Sequence, residues 1–407
     1  MRPTLVLLTA MFAVLACGTE ASPAAGAAPR SPLAAPTNER LYLGNGSALT
    51  VVDGATGEVE RTMPAGAPSP DWSRLYSIAG SYANVKLRLV DAANGEIQRV
   101  LPVPDWVSDA RLSANGRWLA LVSKPDPKAT VTRFQLRDAE LTQQPIDVEL
   151  PGAFAFDGLS GDGRRLYLLQ FGSRASYQVR LYDMVTQQLM SGAIADKSNA
   201  STVMSGGAVN SLTTADGQTQ LTLYERDSHG NAFVHVLPIG ASTQFAYCVD
   251  LPAPGVYWAL TPAPDGRRFY AANLLSGSVL VLTARGMDPP QVSSGRLDTA
   301  TGSLGPAQDV QAKEAVQRTA ATVSTDGATL FVGAGATVTR VDASTLRAGS
   351  VGRWDGDQVL SLAAGHSGWL YALTASGRLL RIDPRTMSVS WRSGPRFIGL
   401  TILHQTG

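Results

Sequence analysis

The sequence has little of several residue types that would mark a particular chemistry. Its 407 residues include two Cys, four His and five Lys among 34 basic side chains. Acidic residues number 33, so the net charge of +1 supplies no field that would attract nucleic acid. Hydrophobic residues make up 44% of the chain and are spread too evenly for a disordered protein. We therefore expect a folded body and no nucleic-acid partner.

The sequence also lacks an apolar run long enough to cross a bilayer as a helix. The N-terminal run extends from Leu5 to Ala16, about a dozen residues, whereas a spanning helix needs about 20. A single positive charge, Arg2, precedes this run, and small residues end it. This pattern predicts a signal peptide over residues 1–16.

The end of this run, Val14-Leu15-Ala16-Cys17-Gly18, resembles the lipobox of bacterial lipoproteins. The resemblance implies cleavage before Cys17 and a diacylglycerol group, with acyl chains such as palmitate, on its sulfur. An ordinary secretory peptide whose cleavage region happens to contain Cys is the alternative. Because residues 17–39 are mostly Ala, Pro, Ser and Gly, they cannot bury enough apolar surface to fold. We expect a flexible tether that holds the protein in the bacterial cell envelope, outside the cytoplasm, with the membrane as partner of its lipid.

From residue 40 to 407 one short unit recurs, in which a Gly-containing turn leads into a strand rich in Leu, Tyr and Phe. Asp-Gly and Asn-Gly between alternating apolar residues predict β-hairpins, because Gly tolerates the positive φ of a tight turn. Spacings of about 40 to 60 residues without amphipathic helices predict an all-β propeller with one four-stranded blade per unit. The seven turns are centred on Ser73, Gly116, Gly163, Gly217, Gly266, Gly327 and Gly368.

The two ends of this region predict an eighth blade. Residues 41–44 resemble a second strand without a first, and residues 397–403 resemble a first strand with nothing after it. Their pairing would close the ring and remove its open edges. We expect eight blades, with seven as the alternative if one unit is an insertion.

The stretch Thr261–Asn273 (TPAPDGRRFYAAN), followed by Gly277–Leu282, resembles the YVTN-type propeller repeat, and residues 323–346 resemble it more loosely. The resemblance implies the architecture, in a family that includes adhesive proteins, binding scaffolds and redox-enzyme subunits. Residues 369–391 also resemble a quinoprotein-type repeat, but this pattern occurs in one unit only.

The sequence contains no recognisable catalytic, cofactor or metal-binding constellation. Asp162, Asp216, Asp265 and Asp326 recur at the same point of each unit, so we interpret them as turn residues whose carboxylates accept backbone N–H groups. The four His residues show no metal-ligand spacing. Cys248 lies in an apolar strand and is predicted to be an inert buried thiol.

Two hypotheses for function follow. In the first, the propeller is a non-enzymatic scaffold that binds an envelope protein or polymer, and Trp106, Arg353 and Trp354 are the candidate binding face, because they lie in loops that enter the next blade. In the second, it is an enzyme or redox subunit, such as a quinoprotein-like dehydrogenase or a lactonase-like hydrolase, with a site at the channel mouth. The long connections 196–210 and 283–318 are further candidates for recognition. The sequence does not indicate the oligomeric state.

Overall fold

A computed structural model shows eight antiparallel β-sheets arranged as the blades of a propeller, within the compact unit Ala34–Gly407. The prediction of an all-β, eight-bladed fold is therefore confirmed. In the described part of the chain, a 3-10 turn at Tyr82–Asn84 interrupts the β-structure, and no helix there is long and apolar enough to span a membrane. The structure describes Leu33, 38–172, 176–197, 201–226, 231–241, 244–254, 257–297, 319–354 and 356–406.

Blades 1 to 4 take up the first half of the ring, and each runs from its first strand at the channel outward to its fourth. Blade 1 consists of β34 (Thr401–Thr406), β1 (Arg40–Gly44), β2 (Ala48–Asp53) and β3 (Val59–Pro64). Blade 2 consists of β4 (Ala67–Pro68), β5 (Arg74–Ala79), β6 (Lys86–Asp91) and β7 (Ile97–Pro102). Blade 3 consists of β8 (Asp109–Leu112), β9 (Trp118–Val122), β10 (Val131–Asp138) and β11 (Ile146–Pro151). Blade 4 consists of β12 (Phe154–Leu159), β13 (Arg165–Phe171), β14 (Ser176–Asp183) and β15 (Gln188–Leu189), with β17 (Met204–Ser205) also paired to β14.

Blades 5 to 8 complete the ring. Blade 5 consists of β18 (Gly207–Thr213), β19 (Thr219–Glu225), β20 (Asn231–Pro238) and β21 (Phe245–Pro254), with β16 (Ala195–Asp196) added in parallel to β21. Blade 6 consists of β22 (Ala259–Pro262), β23 (Arg268–Asn273), β24 (Ser278–Thr283) and β25 (Gln291–Arg296). Blade 7 consists of β26 (Ala320–Val323), β27 (Thr329–Ala334), β28 (Thr337–Asp342) and β29 (Ala348–Arg353). Blade 8 consists of β30 (Val359–Ala364), β31 (Leu370–Thr374), β32 (Leu379–Asp383) and β33 (Ser388–Arg392).

The first strands of neighbouring blades contact one another and surround the central channel, as β26 does with β30 and β30 with β34. Because strands alternate in direction, connections between strands 1 and 2 and between strands 3 and 4 emerge at one end of the ring, which we call the turn face. Connections between strands 2 and 3, and those that enter the next blade, emerge at the other end, which we call the loop face. Of the two long connections that the sequence singled out, 196–210 runs from blade 4 to blade 5 and contains β17. The other, 283–318, begins with the connection between β24 and β25, which belongs to the turn face, and its residues 298–318 lie outside the described residues. Residues 207–210 begin β18, and β25 lies within 283–318.

The two ends of the propeller close the ring by pairing β34 with β1, as the sequence predicted. The C-terminal strand begins at Thr401, four residues later than predicted, because residues 393–400 form the turn that enters blade 1. Glu39, which the sequence placed in the tether, is 2% exposed. Its carboxylate accepts hydrogen bonds from the Ser367 backbone N–H at 2.7 Å and from the Tyr371 hydroxyl at 2.6 Å. The N-terminal end of the propeller is thereby joined to blade 8 as well as to blade 1.

The hydrophobic core is divided among the junctions between blades. Apolar side chains of strands 2 and 3 face either the previous or the next blade, and each of these clusters combines residues of two neighbouring blades. Leu330 and Val332 of blade 7, for example, pack with Tyr270 and Val279 of blade 6. Dispersion and the burial of apolar surface at these junctions hold the ring together.

Candidate functional site

The recurring aspartates are turn residues, as the sequence predicted. The Oδ1 atoms of Asp162, Asp216 and Asp326 each accept a backbone N–H from two residues further on, at 2.9 to 3.0 Å, and a hydroxyl from two residues before. Asp265 accepts the N–H groups of Arg267 and Arg268 in the same way. Such bonds favour the ionised carboxylate, and the pKa values of Asp162, Asp265 and Asp326 are lowered although desolvation opposes the shift.

The three residues of the predicted binding face lie on the loop face but at separate places. Trp354 is 8% exposed and belongs to the core between blades 7 and 8, and Trp106 is partly buried against the core of blades 2 and 3. Arg353, the last residue of β29, is exposed. Because both indoles pack mainly against apolar side chains, the structure gives them a core role, and a joint binding role of the three residues stays a prediction.

Other apolar side chains are exposed on the loop face. Leu403 is 53% exposed and Val209 46% exposed, and both lie on first strands that line the channel. Each is the extra residue of a β-bulge, since the register shifts on either side of it. Bulges re-aim side chains, and here the extra residue on each of two channel-lining strands is an exposed apolar residue. The exposed apolar set of the loop face comprises Val131, Val203, Val209, Leu275, Ile398 and Leu403.

A row of polar side chains crosses blade 5 on the side that packs against blade 4. Ser211 pairs with Thr222, Thr222 with His235, and His235 with Cys248, so that four adjacent strands present polar groups at one register position. The hydroxyls of Ser211 and Thr222 share a hydrogen bond of 2.8 Å. Partners across a sheet lie on the same face, so the row is continuous from the channel outward.

Asp157 of blade 4 lies beside this row. It is the extra residue of a bulge in β12, and its backbone carbonyl accepts a hydrogen bond from the Gln220 side chain at 2.9 Å. Burial raises the pKa of its carboxyl to about 7, and the nearby Tyr224 hydroxyl offsets part of that shift. The residue keeps some accessible surface because it is on a channel-lining strand, but its Oδ2 atom is shielded and has no partner at hydrogen-bond geometry. We call Asp157, the four-residue row and the adjacent Tyr177, Tyr224 and Asp196 the polar seam.

Shielded polar atoms without a hydrogen-bond partner are concentrated in the polar seam. Of ten such side-chain atoms among the described residues, four belong to Asp157, Tyr177, Tyr224 and His235. Native interiors rarely leave such groups unpaired, so the seam is where a ligand or ordered water would find partners. Burial also raises the pKa values of Tyr177 and Tyr224, and both hydroxyls therefore hold their protons at neutral pH.

A segment of chain that leaves blade 4 and pairs with blade 5 borders the outer part of the polar seam. The fourth strand of blade 4 is interrupted, and the segment that leaves it forms β16 alongside β21. Asp196 in β16 thereby accepts a hydrogen bond from the Cys248 backbone N–H at 3.3 Å. Burial and this carboxylate raise the pKa of the Cys248 thiol to about 12, which agrees with the predicted inert thiol. Burial lowers the pKa of His235 to about 4, although Asp196 opposes the shift, so the imidazole is neutral at pH 7.

The remaining His residues are dispersed. His229 lies outside the described residues, and His366 is exposed in a turn of blade 8. His404 in β34 stacks on Trp72 with ring centroids 4.2 Å apart, and burial together with His366 lowers its pKa to about 4. In the part of the chain that the structure describes, no three His, Cys, Asp or Glu residues are grouped as a metal site would require.

The polar seam combines a carboxyl that titrates near neutrality with neutral hydroxyl and imidazole groups. Such a set can donate and accept hydrogen bonds with a polar ligand, or exchange a proton with one. Sequence reasoning missed Asp157, although an Asp157-Gly158 pair within the apolar run Phe154–Leu159, in addition to the predicted turn at Asp162-Gly163, is a usable signal. Tyr224 and Tyr177 gave no such signal, because Tyr also occurs on the strands of most other blades.

Comparisons with known proteins support the fold. No family model and no curated protein matches the sequence. Among solved structures, apo AztD from Citrobacter koseri has a TM-score of 0.53 at 11% identity, covering 90% of this chain and 98% of that one. The β-propeller domain of Cps50 (Swd1) from Myceliophteria thermophila gives 0.43 at 13%, covering 77% and 94%. Dihydro-heme d1 dehydrogenase NirN in complex with DHE gives 0.48 at 14%, covering 86% and 69%. At such identities the likeness concerns the fold alone.

Proposed function

We propose that this protein is a lipid-anchored lipoprotein of the bacterial cell envelope whose propeller is a scaffold for an envelope protein or polymer bound at the loop face. The exposed apolar set of that face carries the proposal. The predicted signal peptide and Cys17 lie outside the described residues, so the anchor rests on the sequence pattern alone. The assignment of the propeller to the YVTN-type repeat likewise rests on the sequence pattern alone.

The distribution of exposed apolar groups supports binding at the loop face. Single exposed apolar residues are common on proteins, but six on one end of a ring, two of them placed by bulges at the channel, form a larger feature. The other exposed apolar side chains are on outermost strands or on the turn face. They comprise Val59, Ile97, Val100, Val185, Met287, Val292 and Val351.

Crosslinking of the full-length protein in envelope membranes tests the scaffold. The double variant Ile398→Asp/Leu403→Asp should lose the crosslinked species by at least tenfold, because a charge in an apolar contact is strongly unfavourable. Val59→Asp/Ile97→Asp is the matched control, since these residues are similarly exposed but lie on outermost strands. Equal losses in both variants, or an unchanged yield in the first, would refute binding at the loop face.

The anchor has a separate test. Cys17→Ser should release the protein from membranes into the extracytoplasmic soluble fraction, because serine accepts no thioether-linked lipid. Metabolic labelling with a palmitate analogue should mark the native chain and leave the variant unlabelled. Persistent membrane association of an unlabelled variant would contradict lipid anchoring.

Asp157 favours a second candidate function, an enzyme whose site opens on the channel. A general acid or base works best with a pKa near the working pH, and Asp157 has such a value beside two buried tyrosine hydroxyls. The lactonase-like hydrolase of the sequence hypotheses fits a proton-transferring carboxyl. A quinoprotein-like dehydrogenase would reveal itself by the absorbance of its cofactor.

A screen of lactones and small esters with the purified protein tests this candidate. Hydrolysis should rise through an inflection near pH 7 and fall at least a hundredfold in Asp157→Asn, as expected when a general base is removed. Asp162→Asn is the control, because Asp162 caps a turn in the same blade. Activity that survives in Asp157→Asn would remove Asp157 from the chemistry, and an absorbance band from bound cofactor would favour the redox alternative.

A further inference from the structure

A groove of about 580 Å³ lies on the turn face between blades 5 and 6. It is separate from the polar seam and from the exposed apolar set of the loop face. Three elements line it, namely the first turn of blade 5, the first turn of blade 6 and the connection between β24 and β25. Its lining residues are Asp216, Asp265, Arg267, Arg268, Thr283, Ala284, Arg285 and Gly286.

The connection after β24 gives the groove its depth. It spans residues 284–290, two more than the corresponding connections of blades 1, 2 and 7, and it leans over blade 5. The carbonyl of Gly286 accepts a hydrogen bond from the Thr219 hydroxyl at 3.2 Å, and that of Met287 accepts one from Tyr247 at 3.1 Å. The connection of blade 6 is therefore fixed to blade 5 at two points.

The charged side chains in the groove differ in whether they have structural partners. Asp265 is occupied by Arg268, whose Nε lies 2.6 Å from Oδ2, and by two backbone N–H groups on Oδ1. Asp216 accepts the Thr214 hydroxyl and the Gln218 N–H in its own turn. Both acids thus have structural partners within the turns.

Arg267 and Arg285 form the other part of the groove. Both side chains are exposed, and within the described ranges no carboxylate forms an ion pair with either. Their backbones are adjacent, because the N–H of Ala284 donates to the carbonyl of Arg267 at 3.1 Å. Two arginines on adjacent backbone segments of one groove can each offer paired N–H donors to the oxygens of one anion.

We infer that this groove is a binding site for a phosphate group, held by Arg267 and Arg285. Phosphate offers several oxygens and up to two negative charges, so it can satisfy both guanidinium groups at once. Arg268 adds to the positive field while remaining paired to Asp265. The phosphate can belong to a free anion or to a lipid headgroup. Calorimetry and vesicle sedimentation together distinguish these two sources.

Calorimetric titration of the full-length protein in detergent with inorganic phosphate and with glycerol 3-phosphate tests the site. Binding should weaken at least tenfold in Arg267→Ala/Arg285→Ala, and it should weaken in 0.5 M salt because exposed charges are screened. Arg164→Ala is the matched control, since Arg164 follows the turn glycine of blade 4 as Arg267 follows that of blade 6, yet lies outside the groove. Absent binding by the native chain, or an equal loss in the control, would overturn the inference.

Vesicle sedimentation of the unacylated Cys17→Ser chain identifies the source of the phosphate. Binding to phosphatidylglycerol vesicles that is lost in the Arg267→Ala/Arg285→Ala background would support a lipid headgroup. Calorimetric binding without vesicle binding would support a free phosphate compound. Vesicle binding that the arginine substitutions leave unchanged, together with no calorimetric binding, would overturn the site. None of these results depends on the scaffold or the anchor proposed above.

Discussion

At the scale of single residues, Asp157 lies at a β-bulge and in buried surroundings that disfavour its ionised carboxylate. The bulge in β12 moves it out of the regular alternation of the strand, and burial then opposes its ionisation. Since its pKa in the folded chain lies above the value of 3.8 expected in the unfolded chain, the folded protein retains the proton over a wider pH range. Ionisation of Asp157 therefore destabilises the folded protein as pH rises from about 4 to about 7.

Replacing Asp157 with Asn should remove this pH dependence. At pH 4 the two proteins should differ little, because Asp157 is then protonated and close in shape to Asn. At pH 8 the variant should be more stable by about 3 to 4 kcal/mol, which corresponds to a pKa shift of roughly 3 units. Thermal unfolding at the two pH values checks this. Because His235 and His404 titrate in both chains, the difference between chains isolates Asp157, and a constant difference would contradict the raised pKa.

Substitutions at two turn glycines distinguish the effect of backbone strain from that of steric crowding. Gly163 and Gly46 both have positive φ, at +69° and +88°. A Cβ at Gly163 would lie 2.4 Å from the Trp118 ring, whereas one at Gly46 would meet nothing within 4 Å. Both Ala variants should lose about 1 kcal/mol to the backbone, and Gly163→Ala about 1 to 3 kcal/mol more from overpacking. Denaturant unfolding measures the gap, and equal losses would show that Trp118 moves aside freely.

At the scale of elements, tyrosines in every second blade connect neighbouring sheets. In the second strands of blades 2, 4, 6 and 8, a Tyr hydroxyl donates to a backbone carbonyl in the connection between strands 3 and 4 of the next blade. These bonds join Tyr76 to Ala139, Tyr167 to Ala241, Tyr270 to Ala343 and Tyr371 to Gly54, at 2.9 to 3.2 Å. Turn connections are thereby fixed to the adjacent blade by both packing and hydrogen bonding.

Removing these hydroxyls should destabilise the protein, whereas removing an unpartnered one should not. Tyr76→Phe and Tyr270→Phe should each cost about 1 kcal/mol, because the acceptor carbonyl loses its partner. Tyr224→Phe should be neutral or stabilising, since its hydroxyl is shielded and has no partner at hydrogen-bond geometry. Thermal unfolding at pH 5, where Asp157 holds its proton, is the measurement. A loss of stability in Tyr224→Phe as large as in the other two would imply a partner in solution, such as ordered water.

At the scale of the whole molecule, closure depends on both chain ends. The pairing of β34 with β1 completes blade 1, and the bonds of Glu39 to Ser367 and Tyr371 fasten the same blade to blade 8. Without β34, the inner edge of β1 would expose unpaired backbone groups, and its buried residues Leu41 and Leu43 would lose cover. We therefore expect the ring to unfold as one cooperative structure.

Truncation after Gly399 should open the ring. We expect unfolding at a temperature at least 10 °C lower than in the native chain, together with self-association through the exposed edge of β1. Deletion of Gly407 alone is the control, because it leaves β34 complete. Calorimetry and size-exclusion chromatography measure the two effects, and an unchanged melting temperature would show that blade 1 is stable with three strands.

The residues of the turns explain how much of the fold could be predicted from the sequence. The seven Asp-Gly-type turns and the orphan strands at the two ends predicted the blade number and the closure, because hairpin register depends on neighbouring residues. Cys248 was interpreted from the apolar run around it as an inert buried thiol, and the structure places its partly buried side chain in the polar seam beside Asp196. Trp354 was predicted to belong to a binding face, yet it is 8% exposed, because an aromatic residue in a loop carries no local signal of which core it enters.

The sequence by itself determined the strands, the turns, the number of blades and the strand that closes the ring, because each follows from alternation and from residues a few positions apart. Only the tertiary structure decided that Asp157 leaves its strand pattern at a bulge, that Ser211, Thr222, His235 and Cys248 align in one row, and that Arg267 and Arg285 share a groove. These arrangements arise where different strands and blades meet. Their registers depend on packing between residues far apart in the chain, which no local pattern records.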